Sequence, residues 1–168
     1  FCLSRGLGDV YKRQPYFLLL CQFAYYTLIR PDELSNIQLS DIYIKDQKVF
    51  IPSSISKNRK DGMVGLNDIL IKSMLNFKYS IIAMIVTYSG KISNPQKEID
   101  TTHLQTYFNK VRTLLKFPDS YQFYSLKDTG IRDLANSAGI VIARDQARHS
   151  DISTTNKYLK GEALPVHE

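Results

Sequence analysis

The sequence predicts an α+β domain that is mainly α-helical, with a small three-stranded antiparallel β-sheet near its N-terminal third. Apolar residues recur at helical spacing along most of the chain. Between Asp41 and Leu66 the pattern changes to the alternation of period two that is typical of a β-hairpin. The chain has 168 residues, of which 43% are apolar, and this is enough for one domain with a sizeable core.

Residues 1–14 differ in character from the rest of the chain. The segment FCLSRGLGDVYKRQ has no apolar periodicity, resembles a translated sequencing adapter and lacks the apolar run of a signal peptide. We therefore expect a non-native or disordered lead at 1–14, one domain at 15–160 and a short tail at 161–168. Because the first residue is Phe1 rather than Met, we also expect that a preceding domain is missing.

The first predicted helix spans Tyr16 to Ile29. It begins after Pro15 and is apolar almost all round, as expected of a central buried helix, although it is too short to cross a bilayer. A second short helix starts at Arg30-Pro31, where the proline suits a first helical turn. Its inward-facing residues are predicted to be Leu34, Ile37 and Leu39.

The segment of period two predicts a hairpin and a third strand. Ile42 and Ile44 alternate with polar residues before a turn at 46–47, and the apolar alternation resumes at Val49. Residues 63–66 form the third predicted strand. The cationic sequence KNRKDG at 57–62 is the tip between strands two and three, and a tip of this kind is more often simply solvated.

Two helices are predicted after the sheet, separated by a segment, Tyr79 to Tyr88, that could be helix or strand. The first begins after the N-cap Asn67 and continues to about Phe77. The second spans Thr101 to Leu115. The predicted core residues are Ile69, Leu70, Met74 and Leu75 in the first helix and Leu104, Phe108, Val111, Leu114 and Leu115 in the second.

The C-terminal third predicts three short helices. An amphipathic helix from Leu126 to Ala138 is ended by Gly139, and a second helix spans Val141 to Ala147. The third is capped by Asp151 or Ser153 and ends near Tyr158. The apolar positions of the first of these helices are Ile131, Leu134, Ala135 and Ala138.

This region also carries side chains that are able to do chemistry. Lys127, His149 and Tyr158 lie on separate predicted elements that could converge on one cavity. Each has an ordinary structural alternative: Tyr158 is one of eleven tyrosines, His149 could cap a helix, and Lys127 could be solvated. Their joint spacing, rather than any single residue, favours a functional site.

Composition points towards a polyanionic partner. The net charge of +6 and the pI near 9.2 lean towards nucleic acid when they are combined with motifs. The two cysteines do not suggest a disulfide framework, and a reducing cytosol suits them. The three histidines have no Cys or His at metal-ligand spacing, so we expect no metal.

Two short blocks make the functional prediction specific. Arg148-His149-Ser150 and the segment from Thr155 to Tyr158 resemble the Gly-His-Ser and Thr-x-x-Tyr blocks of the tyrosine recombinases, or phage-type integrases, with the tyrosine nine residues after the histidine. The resemblance covers the chain from about Pro15 to Lys160. The chain departs from the family's His-x-Leu-Arg-His-Thr block at Tyr124, Lys127 and Asp128, which replace its His, Arg and His.

Upstream residues extend the resemblance. Arg30 and Glu33 align with the family's first catalytic arginine and its acidic partner, although alone they would be read as a surface salt bridge. The hairpin tip resembles the family's lysine hairpin if Lys57 takes the position of the catalytic lysine. Lys60 is a rival candidate for that position, because the register depends on Val64 and Leu66.

The resemblance implies a metal-free and cofactor-free reaction on double-stranded DNA. Tyr158 would attack the phosphodiester to form a 3′-phosphotyrosyl intermediate, His149 would bind the phosphate or act as acid or base, and Lys57 would protonate the departing 5′-oxygen. The remaining predicted catalytic residues are Arg30, Lys127, Tyr124 and Glu33. The predicted DNA contacts are Arg59, Lys60 and Arg148.

The partners implied by the resemblance are DNA and other recombinase protomers in a synaptic complex, with no membrane. The location would be the bacterial cytoplasm, at the nucleoid when DNA is bound, and the protein would act on a mobile genetic element. The alternative is a catalytically impaired DNA-binding relic of the same fold, disabled at Tyr124 and Lys127. An unrelated helical regulator ranks third, because the basic hairpin has no role in it.

Overall fold

The computed structural model describes residues 17–76 and 101–159. The predicted lead, the ambiguous segment between Tyr79 and Tyr88, and the tail lie outside the described residues. The described part is mostly helical and contains one three-stranded antiparallel sheet, so the predicted fold class is confirmed. No helix in this part is long and apolar enough to cross a membrane.

The elements follow one another in the predicted order. The first helix, α1, covers residues 17–27. It is followed by α2 (Pro31–Leu34), a 3₁₀ turn (Leu39–Asp41), β1 (Ile42–Tyr43), β2 (Lys48–Ile51), β3 (Gly62–Gly65) and α3 (Asp68–Asn76). The later helices are α4 (Thr101–Leu114), α5 (Ser125–Ala138), α6 (Ile140–Gln146) and α7 (Ile152–Asn156).

The sheet has the order β1-β2-β3, and both pairs of strands are antiparallel. Val49 lies opposite Ile42 on one side and Val64 on the other, so one apolar row crosses the sheet and faces the core. Ile44 was expected in the first strand but lies in the turn and is exposed. The reason is that β1 ends at Tyr43 and the turn at 44–47 closes with Gln47 in a left-handed conformation.

The core contains residues of both the sheet and α1. Phe23 and Ala24 of α1 are buried in the same apolar cluster as Val49 and Ile51 of β2. The same cluster includes Leu70 and Met74 of α3, Leu104 and Phe108 of α4, and Phe123 in the link before α5. Helix α1 is therefore central, as its composition predicts, although Leu18 is exposed.

Several predicted core residues lie on the surface instead. Ile69 and Leu75 of α3 are exposed because the buried stripe of that helix runs through Leu70 and Met74, four residues apart. The other exposed residues are Leu114 and Ala138, the last residues of α4 and α5, and Leu115, which follows α4. Apolar spacing predicted these helices correctly but did not show which residues have a neighbour to pack against.

The C-terminal helices pack on α1 through one close backbone approach. A Cβ atom added at Gly130 of α5 would lie 2.1 Å from the carbonyl oxygen of Tyr25, so only glycine fits there. Helix α5 ends at Gly139, whose φ of +97° reverses the chain into α6. Helix α7 begins with Asp151, which accepts a hydrogen bond from the Ser153 backbone N–H at 2.8 Å, so of the two predicted caps Asp151 is confirmed.

Gln146, the last residue of α6, ties the C-terminal helices to the hairpin. Its side-chain oxygen accepts from the Gly65 backbone N–H at 2.9 Å, and its Nε2 donates to the Gly65 carbonyl at 2.8 Å. The same amide also reaches the Tyr26 carbonyl at 3.3 Å. Helix α6 is thereby fixed against both β3 and α1.

Gly130→Ala is expected to lower the free energy of unfolding by about 3 kcal/mol, because the new methyl group meets backbone rather than a side chain that can move. Urea denaturation measures this change. The control is Ser137→Ala on the exposed side of the same helix, which should stay within about 0.5 kcal/mol of the parent chain. Equal stabilities of the two variants would contradict the close α1–α5 contact.

Candidate active site

Glu33 is the centre of the candidate site. Its side chain is 1% exposed, and its carboxylate accepts hydrogen bonds from the Arg30 side chain and the Lys57 backbone N–H, each at 3.2 Å. The Arg148 guanidinium binds the other carboxylate oxygen. Burial favours the neutral acid, but Arg148 and the backbone N–H groups of Lys57 and Arg30 outweigh it and hold the pKa of Glu33 below its usual range. Glu33 is thus a buried anion shared by two guanidinium groups.

Arg148 points into the protein. Besides Glu33 it contacts the Ser56 hydroxyl at 3.4 Å, and 12% of its side chain is exposed. Its backbone has a φ of +54°, a left-handed conformation that costs a non-glycine residue roughly 1–2 kcal/mol. Arg148 was predicted to contact DNA. In the structure its guanidinium binds Glu33 and Ser56 inside the site.

Lys127 is the most deeply buried cation of the group. It lies on the first turn of α5, is 0% exposed, and its Nζ has no hydrogen-bond partner. Burial, followed by the positive charges of Arg30 and Arg148, lowers the pKa of Lys127 to about 7 despite the opposing charges of Glu33 and Asp128. A lysine in this state is ready to gain a negatively charged partner.

His149 lies beside these cations, in the link between α6 and α7. Burial and the charges of Lys127 and Arg30 lower the pKa of His149 to about 4, so the ring is neutral at pH 7. Its Nδ1 is 3.0 Å from the hydroxyl of Thr155, which is fully buried on α7. If Nδ1 accepts from that hydroxyl, Nε2 carries the proton and can donate to a ligand.

Tyr158 follows α7 and stacks on His149, with ring centroids 5.8 Å apart and an angle of 14° between the rings. Burial, Tyr124 and Asp128 raise the pKa of Tyr158 to about 12, while Arg30 opposes them. The phenol therefore keeps its proton in this state. Loss of that proton requires a change in its surroundings, such as the arrival of a substrate.

The hairpin tip is exposed. Lys57 approaches the site through its backbone N–H, while its side chain and those of Arg59 and Lys60 lie at the surface. The choice between Lys57 and Lys60 stays open, although the link to Glu33 places Lys57 nearer to the centre of the site. All three side chains are available to a polyanion.

Long-range contacts unite residues that are distant in sequence. Arg30, Glu33, Lys127, His149, Tyr158 and Tyr124 form one electrostatic cluster, in which each is linked to another by a hydrogen bond or a through-space charge effect. Sequence reasoning did not identify Ser56 as a partner of Arg148 or Thr155 as a partner of His149. The only signal for Thr155 was its place in the Thr-x-x-Tyr block.

A separate cavity of about 360 Å³ opens between α1, β3 and the C-terminal helices. Its lining includes Tyr25, Gly65, Asp133 and Gln146 and none of the predicted catalytic residues. The candidate site is accordingly defined by its charges rather than by this cavity. Among residues 17–76 and 101–159, no group of three or more His, Cys, Asp or Glu side chains could hold a metal ion.

Solved structures of DNA recombinases share this fold. A crystal structure of XerA recombinase is 18% identical with a TM-score of 0.72, and the match covers 89% of this chain and 55% of that one. A lambda integrase dimer bound to a COC′ core site gives 17% identity and a TM-score of 0.72 over 91% of this chain and 56% of that one. The Tn1549 transposon integrase in complex with a circular intermediate DNA is 12% identical with a TM-score of 0.69. That match covers 87% of this chain and 54% of that one.

The chain belongs to the phage integrase family, whose family model matches residues 11–163. It spans little more than half the length of the three solved structures, and at these identities the likeness to them establishes the fold. A comparison with curated proteins found no match.

Lys127→Met is expected to stabilise the chain by about 1–3 kcal/mol at pH 6, because it removes a buried amine that has no hydrogen-bond partner. The pKa of Lys127 is about 7 in the folded chain and that of an unfolded lysine is about 10.4, so the parent chain gains stability as the pH rises between these values. The advantage of the variant should therefore shrink from pH 7 to pH 10. Urea denaturation across this range measures it.

Lys110→Met, on the exposed face of α4, is the matched control and should change stability by less than about 0.5 kcal/mol. A loss of stability in Lys127→Met at pH 6 would show that the amine has a stabilising partner.

Proposed function

We propose that this chain is the catalytic domain of a site-specific DNA recombinase that breaks and rejoins DNA through a 3′-phosphotyrosyl intermediate. The observation that carries the proposal is that Lys127, His149 and Tyr158, from three separate segments, all lie close enough to Arg30 for its charge to affect their pKa values. Arg30 is itself bonded to the buried Glu33 carboxylate, and the Tyr158 ring stacks on that of His149. Membership of the phage integrase family supports the same reaction.

The charges of the site suit a phosphodiester. Arg30 and Lys127 supply positive charge for the non-bridging oxygens, and Arg30 can do so with a planar pair of donors. Burial and repulsion by Arg30 depress the pKa of Lys127, and the negative charge of an arriving phosphate opposes both by favouring the charged amine. Binding of substrate therefore charges Lys127 fully, which strengthens the electrostatic stabilisation of the transition state.

The chemical step exchanges one phosphorus–oxygen bond for another. The Tyr158 oxygen attacks the phosphorus and forms the 3′-phosphotyrosyl bond, while the bond to the 5′-oxygen breaks. The bound phosphate offsets the cations that lower the pKa of His149, so the imidazole becomes able to take the proton from Tyr158. Lys57 gives a proton to the departing 5′-oxygen. The reverse sequence rejoins a strand without an external energy source.

The partners follow from the same proposal. The lambda and Tn1549 structures are described as complexes with DNA, and the former as a dimer. We accordingly propose double-stranded DNA and further recombinase protomers as partners of this chain, acting in the bacterial cytoplasm on a mobile element. The exposed Arg59 and Lys60 would contact the DNA backbone beside the site.

The decisive experiment is single-turnover formation of a covalent adduct on a nicked suicide substrate. The parent chain should form a protein–DNA adduct that migrates slowly in denaturing gels, and Tyr158→Phe should form none, because it lacks the attacking oxygen. Tyr121→Phe is the matched control, since Tyr121 is an exposed tyrosine outside the site. An adduct of equal yield with Tyr158→Phe would exclude Tyr158 as the nucleophile.

DNA binding should depend steeply on salt. Phosphate contacts release counterions, so a plot of log affinity against log salt concentration should fall with a slope near about −0.9 for each neutralised phosphate. Fluorescence anisotropy with a labelled duplex measures the slope, and Lys60→Gln at the exposed tip should reduce it by about 1. A slope near zero would contradict a phosphate-based interface.

The second candidate is a DNA-binding relic of the same fold. It is favoured by the state of Lys127, which replaces an arginine of the family's motif and whose lowered pKa of about 7 leaves it only partly charged at pH 7. A relic would bind DNA with the predicted salt slope but would form no adduct with any version of the chain.

A further inference from the structure

We infer that Arg148 is a positioning residue of this site, seated between Glu33 and the hairpin so that it fixes the His149 segment against Arg30. This inference rests on the proposed function, because the positioning is for strand cleavage. Nothing in the sequence assigns Arg148 this role, since its place in the motif predicts a DNA contact. Three independent features of the structure support it.

The first feature is a slot that fits the Arg148 side chain. A Cβ atom added at Gly62 would lie 2.8 Å from the Arg148 Cδ and 3.2 Å from its Nη1, so the absence of a side chain on β3 makes room for the arginine. Beyond this point the guanidinium reaches Ser56 and Glu33. Arg148 thereby joins β3, the hairpin tip and α2 in a single set of contacts.

The second feature is the backbone of Arg148. Its φ of +54° is unfavourable for an arginine, and such a conformation persists only where the surroundings hold it in place. The side-chain contacts supply that restraint. Because His149 is the next residue, the conformation of Arg148 determines where the imidazole lies.

The third feature is the division of the Glu33 carboxylate. Arg148 and the Arg30 backbone N–H bind Oε2, whereas the Arg30 side chain and the Lys57 backbone N–H bind Oε1. With Oε2 held by Arg148 and by the Arg30 backbone N–H, the carboxylate cannot rotate freely, and Oε1 stays directed at the Arg30 side chain. Arg148 supplies the side-chain part of this restraint, so the orientation of the phosphate-binding guanidinium of Arg30 depends in part on Arg148 through Glu33.

Arg148 also acts on the charge of Lys127. The charges of Arg30, Glu33, Arg148 and Asp128 all affect the pKa of Lys127. The charge of Lys127 in turn lowers the pKa of His149. Removing the positive charge of Arg148 should raise the pKa of Lys127 above about 7, since a repulsion is lost and Glu33 is left less neutralised. The shift therefore reports the electrostatic coupling of Arg148 to Lys127, and the cleavage assay reports positioning.

The first test compares single-turnover cleavage by the parent chain, Arg148→Gln, Arg148→Lys and Arg148→Gly. All three variants lose the paired contact to Glu33 and Ser56, so we expect cleavage to slow by about 100-fold while the Kd for DNA changes little. Arg148→Gly is informative because glycine relieves the left-handed backbone. Because loss of the contact to buried Glu33 also lowers stability, cleavage is compared well below the Tm of every variant, where all are folded, so that a fall in rate reports positioning.

A matched pair on β3 moves Arg148 without replacing it. Gly62→Ala pushes against the Arg148 side chain, whereas Gly65→Ala on the same strand meets the Gln146 side-chain oxygen at 3.3 Å and does not contact Arg148. We expect Gly62→Ala to slow cleavage by at least about 10-fold and Gly65→Ala to leave it unchanged. Equal rates in this pair, or cleavage by Arg148→Gln within about twofold of the parent, would overturn the inference.

The second test does not need cleavage. NMR titration of lysines labelled at Cε, with Lys127 assigned by Lys127→Met, should give a raised pKa for Lys127 in Arg148→Gln and a nearly unchanged one in Arg148→Lys, which keeps the charge. If the parent chain forms no adduct, the proposed function fails, and this titration alone then decides whether Arg148 belongs to the network. An unchanged Lys127 titration in Arg148→Gln would overturn the inference.

Discussion

The buried carboxylate of Glu33 is the interaction on which the rest of the site depends. An ionised group that is 1% exposed is tolerated only when it is paired, and removing one partner of such a pair costs about 3–5 kcal/mol. Here the partners are Arg30, Arg148 and the backbone of Lys57, which belong to three different parts of the chain. The same set of hydrogen bonds therefore joins three parts of the fold and positions the side chains of the site.

The site contains more positive charge than its acid can balance. Within the described residues Glu33 is the only fully buried carboxylate, yet it faces Arg30, Arg148 and Lys127. The excess appears as lowered pKa values for Lys127 and His149 and as an amine without a hydrogen-bond partner. Unbalanced buried charge of this kind costs stability, and natural proteins accept such a cost at functional sites.

Local patterns were sufficient to predict the elements. Alternation located the sheet, helical spacing located the helices, and the cap at Asp151 and the stop at Gly139 agree with the sequence because capping depends on neighbouring residues. Burial was predicted less well, as Ile69 and Leu75 show, because it depends on packing partners that are distant in sequence.

The candidate site was likewise predicted only in part. The motif spacing predicted that Arg30, Lys127, His149 and Tyr158 belong together, and the structure brings them into one cluster. The inward direction of Arg148 could not be predicted, since it depends on the space above Gly62 and on a carboxylate 115 positions earlier. The hydrogen bond from the Lys57 backbone N–H to Glu33 could not be predicted either, because motif spacing gives the positions of side chains and not the direction of a peptide group.

The contact between His149 and Thr155 has a consequence for how the site is assembled. Thr155 lies in the five-residue helix α7, three positions before Tyr158, and its hydroxyl is the partner of the His149 Nδ1. A helix this short has little stability of its own. Any displacement of α7 that carries the tyrosine away also takes the partner of the imidazole with it. The tautomer of His149 is therefore coupled to the docking of α7, so that one short helix positions both the nucleophile candidate and the imidazole.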